Sequence, residues 1–135
     1  MINATFTCDN SMEMFADNTS LGDDNGDWRV PFTYKVPGDT RVISVTGENA
    51  PGPKLFGILG STSNGLLTNE TWKCSSDLYH GWTSPEFDDH DWPFAKVVGN
   101  HGDPPWKTID GIAETAKWIW ANEDKDIVYC RLKLQ

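Results

Sequence analysis

Near its beginning the chain alternates between apolar and polar side chains. Within residues 5–15 the apolar side chains fall on one parity: Phe6, Cys8, Met12 and Met14. Because successive side chains of a strand point to opposite faces, this pattern predicts β-structure with one buried and one solvated face. Asn10 shares the buried parity. It is either an inward amide that needs a hydrogen-bond partner, or part of a tight turn over residues 9–11 between two short strands.

Further strands follow, separated by turn residues. Alternating or β-branched stretches occupy residues 28–36, 41–46, 55–59 and 127–134, and Pro31 marks the first of them as an edge strand or a bulge. The sequence has no helical period of useful length, so it predicts an all-β sandwich of antiparallel strands. Residues 72–95 are less regular and predict a wrapped loop held by its aromatic side chains. These are Trp72, Trp82, Phe87 and Trp92.

The length of 135 residues predicts one domain, 1–135, large enough to bury a single core. The sequence contains no apolar run near the roughly 18 residues of a membrane span and no visible leader, so no membrane insertion is expected. The formal net charge of −9 repels phosphate backbones and anionic lipids. Nucleic acid is therefore not expected as a partner.

Three cysteines, Cys8, Cys74 and Cys130, are too few for a disulfide scaffold and lack the C-x-x-C spacing of a zinc site. One bridge and one free thiol is the simplest arrangement in a secreted protein. Cys8 and Cys130 both lie on the inward parity of their strands. We therefore favour a Cys8–Cys130 bridge, which leaves Cys74 as the free thiol.

Two further features of the composition bear on function. Seven Trp residues are many for this length, and each either fills a β core or offers a stacking surface for a sugar. The chain also has three N-x-S/T sequons, which fit a secreted, extracellular glycoprotein. They begin at Asn3, Asn18 and Asn69.

Four segments carry motifs that occur together in one known family. Residues 81–95 resemble W-x-x-x-x-F-D-D-x-x-W-x-x-A, and residues 117–120 with 128–131 resemble A-x-W-I-W and Y-F-R. Residues 7–15 are similar to A-D-N-x-Y-x-L-Y, and residues 42–49 to V-I-A-V-x-x-x-N. As a set these motifs resemble the galactose-binding-domain-like jelly-roll family. Its members accompany rhamnosidases and other glycoside hydrolases or occur as secreted lectin-like proteins.

The resemblance implies a jelly-roll sandwich, with two departures. Residues 16–18, Ala-Asp-Asn, replace the V-N-G turn of the family. The W-I-W and Y-F-R elements close this chain, whereas in the family they commonly precede the A-D-N strand. Either the order is rearranged or the chain is one unit of a tandem array. In both cases we expect the Thr5 strand and the Ile127 strand, the first and the last, to be antiparallel neighbours.

The resemblance also implies a carbohydrate-binding, lectin-like module that is calcium-dependent in some members. Matched to this sequence, the Asp and Asn that coordinate the ion and meet the sugar are Asp9 and Asn10; the same two side chains would equally suit turn capping. Calcium takes about 6–8 oxygen ligands, so these two would need backbone carbonyls, water or further acids such as Glu48 or Asp27. Galactose or rhamnose is the expected type of sugar.

Three further residues are candidates for sugar contact. Asn49 either touches the ligand or fixes its own loop, while Trp82 and Trp106 lie in Gly- and Pro-rich loops from which an indole face could stack on a sugar. Three other tryptophans are assigned to the core, namely Trp92, Trp118 and Trp120.

An enzymatic role is not expected. Acidic residues are abundant, but no spacing singles out a carboxylate pair for glycoside hydrolysis, and the sequence has no nucleophile motif. The three histidines, His80, His90 and His101, form no ligand motif. The alternative function is a structural, adhesive or self-associating extracellular matrix module. A lectin predicts exposed aromatic rings beside a polar cluster, whereas the structural alternative predicts that Trp82 and Trp106 are buried.

Overall fold

The computed structural model describes residues 1–24, 26–50 and 55–134, and their regular structure is entirely β. It consists of ten strands: β1 (Ile2–Asp9), β2 (Ser11–Ala16), β3 (Thr19–Asp23), β4 (Phe32–Val36), β5 (Val42–Glu48), β6 (Gly57–Thr62), β7 (Lys73–Ser75), β8 (Lys96–Asn100), β9 (Lys117–Trp120) and β10 (Ile127–Lys133). Sheet 1 has the order β4-β1-β6-β9-β8 and sheet 2 the order β3-β2-β5-β10-β7. The predicted all-β sandwich of antiparallel strands is confirmed.

The two sheets enclose the main core with the alternate side chains of their strands. Phe6 and Cys8 of β1 and Met12 and Met14 of β2 are all buried, as their parity predicted. Each sheet also carries a smaller apolar layer on its outer face. Among the described residues, none forms a helix of the length and apolarity that crossing a bilayer requires.

Asn10 marks the point where the chain passes from sheet 1 to sheet 2. The tight turn over residues 9–11 is therefore present, and the inward amide is not. The Asn10 N–H donates to the Glu48 carbonyl at 2.9 Å, and the Asn10 Oδ1 accepts from the Ala50 N–H at 2.7 Å. The backbone N–H and the side-chain oxygen of Asn10 are thus both bonded to the chain at or just beyond the end of β5.

The prediction that the first and last strands are neighbours is wrong. β1 lies between β4 and β6 in sheet 1, whereas β10 lies between β5 and β7 in sheet 2. Because the chain changes sheets at Asn10, it is β2, not β1, that shares a sheet with β10. β5 then pairs with both of them and separates them.

The predicted Cys8–Cys130 bridge is also wrong. Cys130 is bonded to Cys74, which stands directly opposite it in the β7–β10 pair with 4.1 Å between the Cα atoms. Cys8 is a buried free thiol on β1 of the other sheet. The inward parity of Cys8 and Cys130 was correct, but parity identifies the face of a residue and not its neighbour.

Residues 76–94 run over the outer face of sheet 2 and cover it with aromatic side chains. Trp82 contacts Tyr129 of β10, with ring centroids 5.3 Å apart, and stacks on Trp92 at 6.3 Å. Trp72, by contrast, packs in the main core against Phe6 at 5.9 Å. The wrapped aromatic loop predicted for residues 72–95 is confirmed for the part beyond β7.

A buried ion pair holds this loop to the sheet. The Arg131 side chain is fully buried, and its guanidinium donates to the Asp89 carboxylate at 2.6 Å and to the Ser84 carbonyl at 2.7 Å. A longer bond reaches the Phe87 carbonyl at 3.3 Å, and the Phe87 ring lies 5.2 Å from the guanidinium carbon. A desolvated charge is tolerated only when it is paired and hydrogen-bonded, as this one is.

Residues 101–116 cover the outer face of sheet 1 in a comparable way. Their apolar side chains pack on Leu59 of β6 and Trp118 of β9 and form a second apolar cluster. The segment contributes Trp106, Ile109, Ile112 and Ala116 to it. The His101 ring fastens this segment, because its Nδ1 lies 2.9 Å from the Ala113 carbonyl and its Nε2 accepts the Ile109 N–H at 2.8 Å. These two partners require the neutral ring with its proton on Nδ1.

We expect the Cys74–Cys130 bridge to stabilise the sandwich by about 3–4 kcal/mol, because it closes a long loop in the unfolded chain. Cys74→Ala should lower the free energy of unfolding by that amount in urea titration. The control is Cys8→Ala, which should leave the bridge intact in peptide mapping. A Cys8–Cys130 peptide in the native protein would contradict the assignment.

We expect Arg131→Met to lower the free energy of unfolding by about 3–5 kcal/mol, since it removes the close partner of the buried Asp89 carboxylate and leaves it only the Lys133 ammonium at 3.8 Å. Arg41→Met is the matched control, because Arg41 pairs with Glu86 at the surface, where 54% and 74% of the two side chains are exposed. Its loss should be below about 1 kcal/mol. Equal losses for the two variants in chemical denaturation would refute a special role for the buried pair.

Candidate functional site

The ends of five strands meet at one end of the sandwich. β1 ends at Asp9 beside Gly57 of β6, and Glu48 at the end of β5 lies opposite both Ser11 and Ile127. Four polar residues at this end, Asp9, Asn10, Asn49 and Asp126, are called the loop-end cluster below. Three of them are sequence-predicted site residues, so the resemblance directed attention to residues that do lie at one end of the fold.

Asp9 is the most deeply placed carboxylate of this cluster, with only 5% of the residue exposed. Its Oδ2 accepts the indole N–H of Trp106 at 3.0 Å. Burial raises the pKa of the Asp9 carboxyl above its usual value of 3.8, and the indole hydrogen bond offsets this in part. The carboxylate is therefore held in place but poorly solvated.

Trp106 reaches Asp9 from the segment that covers sheet 1. Its ring stacks on Trp118, with centroids 4.4 Å apart and an angle of 17° between the planes. Gly57 permits this stack, because a Cβ at that position would lie 2.6 Å from the Trp118 ring and 3.4 Å from Trp106. Only 6% of Trp106 is exposed, so its visible role is to fix Asp9 and not to offer an open stacking surface.

Asn10 and Asn49 both make hydrogen bonds that hold the chain at the end of β5 in place. Asn10 caps the Ala50 N–H, as already described, which is the capping role considered from the sequence. The Asn49 N–H donates to the Asp126 carbonyl at 2.7 Å, and its side-chain amide lies 3.4 Å from the Asp126 carboxylate. Asn49 therefore fixes its loop against the segment that leads into β10.

Glu48 and Asp27 are not brought together with Asp9. Glu48 continues the outward parity of β5 and lines an acidic cavity of about 360 Å³ on sheet 2, together with Glu13, Asp23 and Asp24. Asp9 continues the outward parity of β1 on the opposite sheet and contacts Trp106. Asp27 forms an exposed ion pair with Arg29 at 2.9 Å.

Trp82 lies away from the loop-end cluster. Only 7% of it is exposed, and it is enclosed by aromatic rings on sheet 2. The neighbouring Thr83 hydroxyl bonds to Asn18 in the turn after β2, at the opposite end of that strand from Asn10. The three tryptophans assigned to the core are likewise buried, Trp118 and Trp120 on β9 and Trp92 beside Trp82.

A groove beside Trp106 contains residues that the sequence did not reveal. Its volume is about 280 Å³, and it is lined by Leu55, Phe56, Val98, Pro104, Pro105, Trp106 and Asp124. Asp124, like Asp126, lies in the acidic segment just before β10, and this position at a strand entrance was the available signal. The groove offers apolar walls and one carboxylate.

The side chains of the loop-end cluster offer oxygen ligands of the type that a hard cation binds. Carboxylate and amide oxygens from Asp9, Asn10, Asn49 and Asp126 are the ligands that calcium prefers, supplemented by backbone carbonyls and water. No group of three or more His, Cys, Asp or Glu residues able to hold a metal occurs in the described part of the chain. A cation here would therefore depend on the amide oxygens.

Most of this sequence aligns with a curated protein. The chain is 29% identical over 112 residues to an alpha-L-rhamnosidase of Streptomyces avermitilis, an alignment that covers 75% of the chain. The matched part spans 11% of the length of that relative. No protein-family model matches the chain, and no solved structure matches it significantly.

The raised pKa of Asp9 predicts a measurable pH dependence. Because the folded carboxyl holds its proton to higher pH than the unfolded one, Asp9 weakens folding as pH rises through and above 3.8. Asp9→Asn keeps an acceptor for Trp106 but removes the charge, so its stability relative to the wild type should rise from pH 3 to pH 7. Urea titrations at both values measure this, and a pH-independent difference would contradict it.

Proposed function

We propose that this domain is a carbohydrate-binding, lectin-like module of a secreted protein associated with glycoside hydrolysis, and that calcium assists its binding. The observation that carries the proposal is the Asp9 carboxylate, held almost without solvent by Trp106 at the loop end and next to Asn10. The alpha-L-rhamnosidase similarity supports the same class of function. It makes rhamnose, with galactose as the second choice, the first sugar to test.

The residues around Asp9 suit the two kinds of surface that a sugar presents. Carboxylate and amide oxygens accept hydrogen bonds from hydroxyl groups, and Asp9, Asn10 and Asp124 supply them at this end of the sandwich. The apolar C–H face of the sugar would lie against Leu55, Pro105 and the rim of Trp106 in the groove. Recognition then combines shape with a few directed hydrogen bonds.

Calcium would be held by oxygens of Asp9, Asn10 and Asn49, with carbonyls and water completing the set. When bound, it would supply positive charge beside a poorly solvated carboxylate and additional coordination for sugar hydroxyls. Asp9 would then keep its charged form at neutral pH without the desolvation penalty that now raises its pKa.

We assign the domain no catalytic role. Glycoside hydrolysis uses a pair of carboxyl groups on opposite sides of the scissile bond. The groove is lined by one carboxylate, Asp124, among the residues that the structure describes. We propose instead that this site binds a glycan chain and that hydrolysis takes place on a separate catalytic domain.

Binding of L-rhamnose and D-galactose should be measured by calorimetry and NMR titration with calcium present and again with EDTA. The wild type should bind at least one sugar, and chelation should weaken binding by about tenfold or more, equivalent to the loss of one charged contact. Asp9→Asn should have the same effect. Glu48→Gln is the matched control and should bind normally, because Glu48 faces the outer side of sheet 2.

The outcomes separate the parts of the proposal. Binding that survives EDTA would retain the lectin function and remove calcium. Loss of binding in Glu48→Gln, with Asp9→Asn unaffected, would move the site to the acidic cavity on sheet 2. Absence of binding to both sugars in both conditions would argue against the lectin function at this site.

The burial of Trp82 and Trp106 favours a second candidate, a structural or self-associating extracellular module. Both indoles are enclosed by the protein's own rings, which is what that alternative predicted. Concentration-dependent association in sedimentation velocity, together with no sugar binding, would support it. A monomer that binds a sugar would exclude self-association as the main function.

A further inference from the structure

A small cavity with positive charge lies far from the loop-end cluster. It has a volume of about 160 Å³ and is lined by Thr71, Lys73, Asp89, Arg131, Leu132 and Lys133. It is called the basic pocket below. Lys73 of β7 stands opposite Arg131 of β10, and Lys133 follows two residues later on the same face. Strand pairing therefore places three cations side by side.

The charge of this pocket is opposite to that of the protein. Lys73, Arg131 and Lys133 contribute three positive charges and Asp89 one negative charge, which leaves a formal charge of +2. The whole chain carries −9. Such a local reversal creates a field that attracts anions to one spot on a surface that otherwise repels them.

The internal contacts of the pocket do not use up this charge. Asp89 is already paired with the buried Arg131 at 2.6 Å, and its other oxygen is 3.8 Å from the Lys133 ammonium. The Lys73 ammonium lies 3.3 Å and 3.4 Å from the carbonyls of Asp89 and His90 and 4.9 Å from the centre of the Phe94 ring, and these contacts leave its charge uncompensated. The Arg131 Nε–H is buried without a hydrogen-bond partner in the described part of the chain.

We propose that the basic pocket binds the acidic group of an anionic sugar, a carboxylate or a sulfate ester. Lys133, with 46% of its side chain exposed, and Lys73 donate to the anion, and the exposed Thr71 completes the rim. Arg131 contributes its field from below and keeps its bonds to the loop. This inference rests on the proposed carbohydrate-binding function and adds the class of glycan.

The position of the pocket makes it a second subsite and not a part of the first. β10 begins at the loop end with Ile127 and finishes at Lys133 in the pocket. At about 3.4 Å per residue, six steps separate the two by roughly 20 Å. The basic pocket also lies on the outer side of sheet 2, whereas Asp9 faces the outer side of sheet 1, so an acidic group and a neutral sugar occupy separate sites.

The test is an NMR titration of the isotopically labelled protein with D-galacturonate, D-galactose 6-sulfate and D-galactose, which differ at the C6 substituent. Either anionic sugar should shift the amide signals of Thr71 and Lys133, and galactose should leave them in place. Lys133→Gln should weaken this binding by about tenfold. Lys107→Gln removes an exposed lysine from the segment over sheet 1 and should have no effect.

The outcomes test anion binding at the basic pocket independently of neutral-sugar binding at the loop end. A Lys133-dependent response to galacturonate alone, to the sulfate alone or to both supports it and identifies the acid. No response to either anion, a response equal to that of galactose, or one unchanged in Lys133→Gln overturns it. Neutral sugar binding that still depends on Asp9 would then leave the lectin function standing, whereas its absence would remove both.

Discussion

The buried Arg131–Asp89 ion pair is the interaction on which much of this fold depends. Arg131 adjoins Cys130, so β10 is joined covalently to β7 on its inner side and by charge to residues 76–94 on its outer side. The guanidinium binds three points of residues 76–94, a loop without regular structure. This loop in turn encloses Trp82 and Trp92 against sheet 2. Without the pair, an aromatic layer and a long loop would lose their attachment together.

The alternation of side chains predicted much of the secondary structure but not the neighbours of each strand. Phe6, Cys8, Met12 and Met14 are buried because strand geometry fixes the face of each side chain within a few residues. Which strands pair depends on where the chain passes from one sheet to the other, and it does so at the Asn10 turn. A change of sheet over one residue leaves the parity intact on both sides. The sequence pattern therefore supported a wrong disulfide and a wrong adjacency equally well.

The candidate site was predictable where the backbone alone determined proximity. Asp9, Asn10 and Asn49, which the motif resemblance singled out, lie at strand ends that meet at one end of the fold, and their role in binding stays a prediction. Glu48 is one residue before Asn49, yet its side chain points to the outer face of sheet 2, because it keeps the outward parity of β5. The burial of Trp106 could not be predicted from its own loop, because it depends on Gly57, where the absence of a side chain leaves room for the stacked rings of Trp106 and Trp118.

Cys8 has a consequence for measuring motion in this protein. Its thiol is fully buried between the sheets, and burial raises its pKa well above the usual value of 9.0, so the reactive thiolate is suppressed in the native state. With the other two cysteines bonded to each other, labelling by a thiol reagent requires the sandwich to separate. Under conditions where labelling outpaces reclosing, the rate of reaction equals the rate of opening. The chain thus contains an intrinsic kinetic probe of separation between its sheets, without any engineered substitution.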